Sequence, residues 1–475
     1  MINKNLSLKI ALLPVVVLVL LLSYNVIIYG DDALSGSNQF MLLLGASVAA
    51  IVGFSRQISY DTMIQKIAEN LQSVTGALLI LLFVGALAGT WLISGIIPAM
   101  IYYGLQILHP SIFLPACIFI CAIISIATGS SWTTSATVGI ALIGIGKVLG
   151  IPVGMVAGAV ISGAYFGDKL SPLSDTTNLA PAMAGGNLFT HIRYMTLTTV
   201  PSILITLIIF FILSFTQSTT GNADIESLLI TIKEKFTINL WLFLVPSIVI
   251  FLIVKKSPPL IALLIGTILG AIFALIFQSN ILLEITESNI LTPSVAYRGI
   301  IDAITVSTEI NSNNPLLNDL FTSGGMKGML DTIWLIICAM VFGGVMEAIG
   351  ALDRISNALL NWAQSTFKLF ASTVASCLAI NLTASDQYLS IVIPGKMFAK
   401  AYEERKLAPE NLSRTLEDSG TVTSVLIPWN TCGAYQSSVL GVGVDEYFIY
   451  AVFNWLSPFM TLIYAALDIK IKDLK

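Results

Sequence analysis

The sequence predicts an all-α polytopic membrane protein, with about ten full-length transmembrane helices and two re-entrant or broken helical hairpins arranged as inverted repeats. Three observations carry this. Of 475 residues, 56% are hydrophobic and only 11% charged, against roughly 25% charged in a soluble domain. Apolar runs such as 11–29, 201–215, 240–254 and 259–277 approach the length that crosses a hydrocarbon core of about 30 Å. Finally, polar interruptions recur at matching places in the two halves of the chain.

In a bilayer the backbone must satisfy its own hydrogen bonds, so the apolar runs are read as helices; the alternation of an outer-membrane barrel is absent. The first half, 1–237, carries helices near 8–29, 38–55 and 75–108, a broken stretch at 112–149, and helices near 151–167 and 194–215. The run near 75–108 exceeds one crossing and holds Gly85, Gly89, Gly95 and Pro98, which predicts a tilted, broken helix. The stretch 112–149 is interrupted by Thr128-Gly129-Ser130-Ser131-Trp132-Thr133-Thr134. In the second half, 238–475, helices are expected near 238–254 and 259–278, then a long acidic loop over 279–329. A helix near 331–351, a broken stretch at 369–400, and helices near 411–427 and 446–467 follow.

Lys4 and Lys9 ahead of the first apolar run imitate a signal peptide, but the run is long and ends in Tyr29-Gly30-Asp31-Asp32 without a small-x-small site. An uncleaved first helix is expected. With both termini in the cytoplasm, 18 of the Lys and Arg residues fall on the cytoplasmic side and 5 outside, consistent with the bias of membrane proteins. Net charge is only -4, giving no sign of a nucleic-acid partner. The five cysteines lack CxxC spacing and read as small hydrophobes, and two histidines, His109 and His191, cannot build a histidine-rich metal centre. No cofactor is expected.

The halves echo one another about 255 residues apart. Gly89 and Gly95 pair with Gly344 and Gly350, and Thr128-Gly129-Ser130-Ser131 pairs with Thr383-Ala384-Ser385-Asp386. Ser162-Gly163 leading to Ser171-Pro172-Leu173-Ser174-Asp175 is echoed by Ser419-Gly420 leading to Ile427-Pro428-Trp429-Asn430-Thr431. Helices broken at matching places of inverted halves mark secondary transporters, in which a central site opens alternately to each side. A broken helix also frees backbone oxygens that can replace an ion's hydration shell.

The strongest local feature is Gly167-Asp168-Lys169-Leu170-Ser171-Pro172-Leu173-Ser174-Asp175-Thr176-Thr177-Asn178, directly after a helix with Gly150, Gly154 and Gly158 at every fourth position. It offers carboxylate, hydroxyl, amide and carbonyl oxygens together, the ligands a hard cation prefers. A carboxylate that takes sodium when ionised and a proton when neutral couples the two ions, and desolvation favours the neutral form. The candidate ion- or proton-handling residues are therefore Asp168, Asp175, Ser174, Thr176, Thr177 and Asn178, with Na+ at Asp168, Asp175 and neighbouring oxygens. Ser130, Ser131 and Asp386 at the two breaks join them, as do Asp418, Asn430 and Thr431 in the second half. The plainer alternatives are a solvated loop at 168–178 with Asp175 making a turn and Asp168 paired to Lys169, a buried structural pair for Asp418, and hydroxyls bonded back onto helix carbonyls. Glu347 reads as one end of an interfacial salt bridge near Asp353 and Arg354.

At these residues the chain resembles the NhaC-type Na+/H+ antiporters. The resemblance is carried by the 167–178 segment, by Glu417-Asp418-Ser419-Gly420-Thr421-Val422-Thr423, and by Ile427-Pro428-Trp429-Asn430-Thr431-Cys432-Gly433. It implies sodium–proton exchange across a bacterial plasma (inner) membrane by alternating access, within an ion-transporter superfamily that often forms homodimers. It implies Asp168 and Asp175 as leading ion or proton residues, with Asn430 and Thr431 from the other half. The same family includes sodium- and proton-coupled exchangers of malate against lactate and relatives that move amino acids, so a small organic anion or amino acid is the alternative cargo. An embedded enzyme would need His109 or His191 beside a buried serine.

Overall fold

The computed structural model describes residues 6–29, 33, 35–216, 222–312 and 314–474. Lys4 and Lys475, counted in the charge tally, and Gly30-Asp31-Asp32, which closes the first run, lie outside them.

Helices fill the chain because the apolar runs have no other way to pair their backbone groups. In the first half they are α1 (Leu8–Tyr29), α2 (Ser37–Ser55), α3 (Tyr60–Ile93), α4 (Ile96–Ile107), α5 (Phe113–Thr128), α6 (Ser131–Thr134), α7 (Ile140–Val148), α8 (Val153–Leu170), α9 (Asp175–Ala184) and α10 (Leu188–Thr216). Next come α11 (Asn222–Lys235), α12 (Leu244–Val254), α13 (Pro259–Phe277), α14 (Ser279–Ile285), α15 (Pro293–Thr305) and α16 (Pro315–Leu320). The second half continues with α17 (Leu330–Ala348), α18 (Ala351–Trp362), α19 (Thr366–Thr383), α20 (Gln387–Glu404), α21 (Pro409–Leu416), α22 (Thr431–Leu440), α23 (Val444–Tyr447) and α24 (Val452–Ala466).

The protein is thus an all-helical, multi-pass membrane protein. Among the described residues eight helices are long and apolar enough to cross a membrane, or nine if the pair 225–235 and 240–254, bent by 87°, counts as one span. The sequence expects about ten. The shortfall lies in the centre, where polar residues and glycines interrupt helices: 411–427 resolves into α21, a π turn over Glu417–Thr421 and a 3-10 turn over Ser424–Leu426. The run near 75–108 is broken as expected, between α3 and α4 at Gly95, and it starts earlier because Asp61, Gln65, Lys66 and Glu69 continue the helix beyond its apolar part.

The segment 279–329 is not the loop the sequence suggests. It holds α14, α15, α16 and a two-residue antiparallel pairing of Thr308–Glu309 with Thr322–Ser323. The reason is a close backbone approach. α15 lies on α3 where Gly89 has no side chain; a Cβ there would stand 1.8 Å from the Ala303 carbonyl oxygen. Gly89→Ala is therefore expected to push α15 off α3 and cost about 2 kcal/mol. A drop of several degrees in the thermal midpoint of the detergent-solubilised protein would register it, and an unchanged midpoint would count against the packing.

Two sets of helices emerge from the contacts. One is built on α3, against which α13, α15 and α17 pack, with α1, α2 and α12 alongside. The other gathers α5, α8, α9, α10, α19, α20, α21 and α24. Local geometry recurs along the chain at 255 or 256 residues. Left-handed positions fall at Gly95 and Gly350, at Gly129 and Ser385, and at Gly185 and Gly441. Helix N-caps fall at Ser130 and Asp386, and at Ser174 and Asn430.

Candidate functional site

The site is made by helices that stop inside the protein. α5 ends where Gly129 turns left-handed (φ +71°), and a Cβ there would meet the Leu173 side chain at 2.6 Å. The chain restarts at once, with the Ser130 hydroxyl accepting from the Thr133 N–H at 3.1 Å. The new helix end presents its first N–H groups to α8. α8 lies close against α5 because Gly163 and Gly167 face the Ile118 and Ala122 carbonyls, where no Cβ fits. Its last turn then delivers Asp168 to the break: the Ser131 N–H donates to Oδ2 at 3.1 Å and the Ser131 hydroxyl at 2.7 Å. Both donors favour the carboxylate, and the helix N-terminus adds partial positive charge.

Ser174 caps α9, accepting from the Thr177 N–H at 3.4 Å, and its hydroxyl lies 3.2 Å from that of Thr176. The Thr177 hydroxyl donates to the carbonyls of Asp168 and Lys169 at 3.3 and 3.1 Å. The Asn178 amide donates to the Pro172 and Ser174 carbonyls. In the second half Asp386 caps α20, accepting from the Leu389 N–H at 2.8 Å. Asn430 caps α22, accepting from the Cys432 N–H at 3.1 Å, while its amide donates to the Asn381 carbonyl. Trp132 stacks on Tyr435 at 3.9 Å and ties the two broken regions together.

Four helix N-termini thus meet around a cavity of about 700 Å³ between the two helix sets. Of the twelve residues singled out in the sequence, nine line it: Ser130, Ser131, Asp168, Ser174, Asp175, Thr176, Asn178, Asp386 and Thr431. Thr177 and Asn430 sit behind the wall as braces. Asp418 is elsewhere: fully buried, it pairs with Lys169 and accepts from the Thr198 hydroxyl at 2.8 Å and from Thr461. Lys169 therefore does not neutralise Asp168, and the solvated-loop reading of 168–178 does not describe this segment. Asp168 is 8% exposed, whereas Asp175 is open to the cavity.

Sequence reasoning missed Gln387 and Tyr388, which line the cavity beside Asp386, and Lys256, its one lysine, from the turn before α13. Adjacency to Asp386 was the available signal for the first two; nothing in the sequence marks Lys256. Glu347 does make the expected salt bridge, but with Lys66 of α3 at 2.9 Å. A histidine also meets a serine: His191 Nδ1 lies 2.7 Å from Ser413 Oγ. Both side chains are fully buried outside the cavity wall, and His191 Nε2 meets no hydrogen-bond partner among the described residues. The pair joins α10 to α21.

Three cavity carboxylates face one lysine, amid hydroxyl and amide oxygens, and the helix ends are already capped by side chains. Such a set of oxygens suits a cation more than an anion. Fold and site together define a membrane transporter of the secondary, ion-coupled class. The profile of the Na+/H+ antiporter family matches residues 163–469, and the chain belongs to that family. It is 37% identical over 422 residues to the Na+/H+ antiporter NhaC of Alkalihalophilus pseudofirmus, covering 89% of this chain and 88% of that protein. Its identity to the malate-2H+/Na+-lactate antiporter of Bacillus subtilis is also 37%, over 88% of this chain and 86% of the other. The arginine/ornithine antiporter ArcD of Halobacterium salinarum is 33% identical, over 95% of this chain and 90% of its own length.

Proposed function

We propose that this protein exchanges Na+ for H+ across a bacterial plasma membrane by alternating access, with both termini in the cytoplasm. The observation that carries the reading is Asp168. It is a carboxyl group inside the membrane body, met by two Ser131 donors and bordered by hydroxyl oxygens at the wall of a cavity. Sodium is bound there by Asp168, Asp175 and the oxygens of Ser131, Ser174 and Thr176. The family match and the NhaC relative support the same cargo. The turn at 256–260 borders the cavity; with that turn on the cytoplasmic side, which the Lys and Arg bias supports, this conformation faces inward. The helix breaks that recur 255 or 256 residues apart support two inverted halves, 1–237 and 238–475, that exchange conformations to face outward.

Asp175 lies open on the cavity wall, so its charge attracts the ion more than it holds the fold. Asp175→Asn is expected to raise the sodium KM about tenfold, near 1.4 kcal/mol, with kcat less affected. An unchanged KM would remove Asp175 from the ion's path.

A second reading has a specific observation behind it: about 700 Å³ is far more room than a sodium ion needs, and falls within the range of organic-solute pockets. A small organic anion, with Lys256 as counter-ion, or an amino acid is the alternative, in line with the names of two relatives. Membrane vesicles loaded with a quenched pH dye separate the readings. Sodium alone reverses the quench if the cargo is inorganic; a response that requires malate, lactate or arginine assigns the organic exchange.

A further inference from the structure

Glu417 differs from the other buried acids of the core. Its side chain is fully buried, and neither carboxyl oxygen meets a hydrogen-bond donor among the described residues. The Thr421 hydroxyl, one turn on, lies near it without completing a bond to either oxygen. By contrast Asp168 is held by Ser131, Asp386 by the Leu389 N–H and Asp418 by Lys169. A carboxylate without donors is far more costly to keep in such surroundings than a carboxylic acid that carries its proton. Glu417 also heads the π turn, where the backbone of α21 loosens, a feature that clusters at functional sites.

The charges whose fields reach Glu417 are Lys169 and Asp168 from α8 and Asp418 from its own helix. Arg414, one turn back, is fully buried and makes no hydrogen bond through its guanidinium; it lies over the Tyr194 ring at 4.6 Å and near Tyr464 at 5.9 Å. The helices packed around this turn bring Cys377 beside Ser419 and Tyr402 beside Thr415, while His191 of α10 lies within the field of Lys169 and Asp418. Asp175 of α9, Asp386 at the start of α20 and Lys256 line the cavity with Asp168, but among them only Asp168 has a field that reaches Glu417. Counting formal charge in this interior group, Lys169 and Arg414 balance Asp168 and Asp418 while Glu417 is protonated. A sodium ion at Asp168 adds one positive charge. Ionisation of Glu417 restores the balance.

From this geometry we infer that Glu417 holds the proton exchanged for sodium: arrival of the cation at Asp168 expels that proton to water, and departure of the cation returns one. The inference rests on the Na+/H+ reading and assigns the two ions to different carboxyl groups within it. Only the O–H bond of Glu417 breaks and re-forms, and nothing is oxidised or reduced.

The test uses the full-length protein in detergent, in weakly buffered solution with a pH dye, pulsed with NaCl, alongside 22Na+ binding. Wild type is expected to release protons as sodium binds. Glu417→Gln should release at least about fivefold fewer, the lower end of common coupling strengths, while still binding 22Na+ with an affinity that no longer follows pH. Proton release equal to wild type in Glu417→Gln overturns the inference. Should that variant fail to fold, Glu417→Asp decides: its shorter side chain is expected to move the pH profile of sodium binding, and an unmoved profile overturns the inference as well. If wild type binds no 22Na+ at all, it is the antiport reading that falls.

Discussion

Asp168→Asn is expected to lower sodium-coupled transport at least about a hundredfold, through loss of an interaction central to the site, while the protein remains folded in the membrane. The substitution keeps size and shape but removes the charge that faces the cavity. It also turns the environment against the side chain. Two Ser131 donors point at Oδ2, and an amide can offer them only its oxygen, leaving its NH2 group towards the cavity where a cation was held. Because Asp168 is joined to neighbours by hydrogen bonds rather than by an ion pair, the fold should survive the change. Size-exclusion behaviour and thermal midpoint close to wild type, with flux absent, is the anticipated combination. Near-normal flux would move the sodium site away from this carboxylate.

Lys169→Met is expected to have the second largest effect, and on stability rather than on the ion site alone. Lys169 and Asp418 are each fully buried and face one another. Removing one member of such a pair strands the other charge and costs about 3–5 kcal/mol, enough to abolish recovery of folded protein. Two hydroxyl donors, from Thr198 and Thr461, would remain on Asp418, which softens the loss without cancelling it. Adding Asp418→Asn to Lys169→Met removes the stranded charge and should recover most of the folded yield. If the double variant is no better than the single one, Lys169 contributes through something other than this pair.

Much of the cavity wall was legible because polar residues are conspicuous in an apolar chain. Ser130, Ser131, Ser174, Asp175, Thr176, Asp386 and Thr431 sit where helices must restart, and restarting helices recruit hydroxyl or carboxyl caps. What could not be read was the direction in which each side chain points. Thr177 belongs to the same polar run, but its hydroxyl turns back onto the Asp168 and Lys169 carbonyls. Asp418 was legible as a buried acid, either at the site or in a structural pair, yet its partner Lys169 lies 249 residues away in the sequence, so spacing could not choose between the two.

The segment 279–329 was misjudged for a related reason. Its helices are short and amphipathic, and what orders them is the bare backbone of Gly89 on α3, a contact between distant parts of the chain. Lys256 follows a similar logic: it is one of two lysines beside a pair of prolines in a turn, and only the folded arrangement brings it to the cavity. Long-range contacts decided these cases, and local pattern holds no record of them.

In the proposed exchange, sodium meets Asp168 and is driven across the bilayer by protons moving the other way. Reconstitution into liposomes loaded at acidic pH and diluted into neutral medium containing 22Na+ tests this most directly. Saturable 22Na+ uptake that collapses when the pH gradient is dissipated, and that is missing with Asp168→Asn, is the predicted result. Absence of gradient-driven uptake in the wild type, or its persistence in Asp168→Asn, would contradict it.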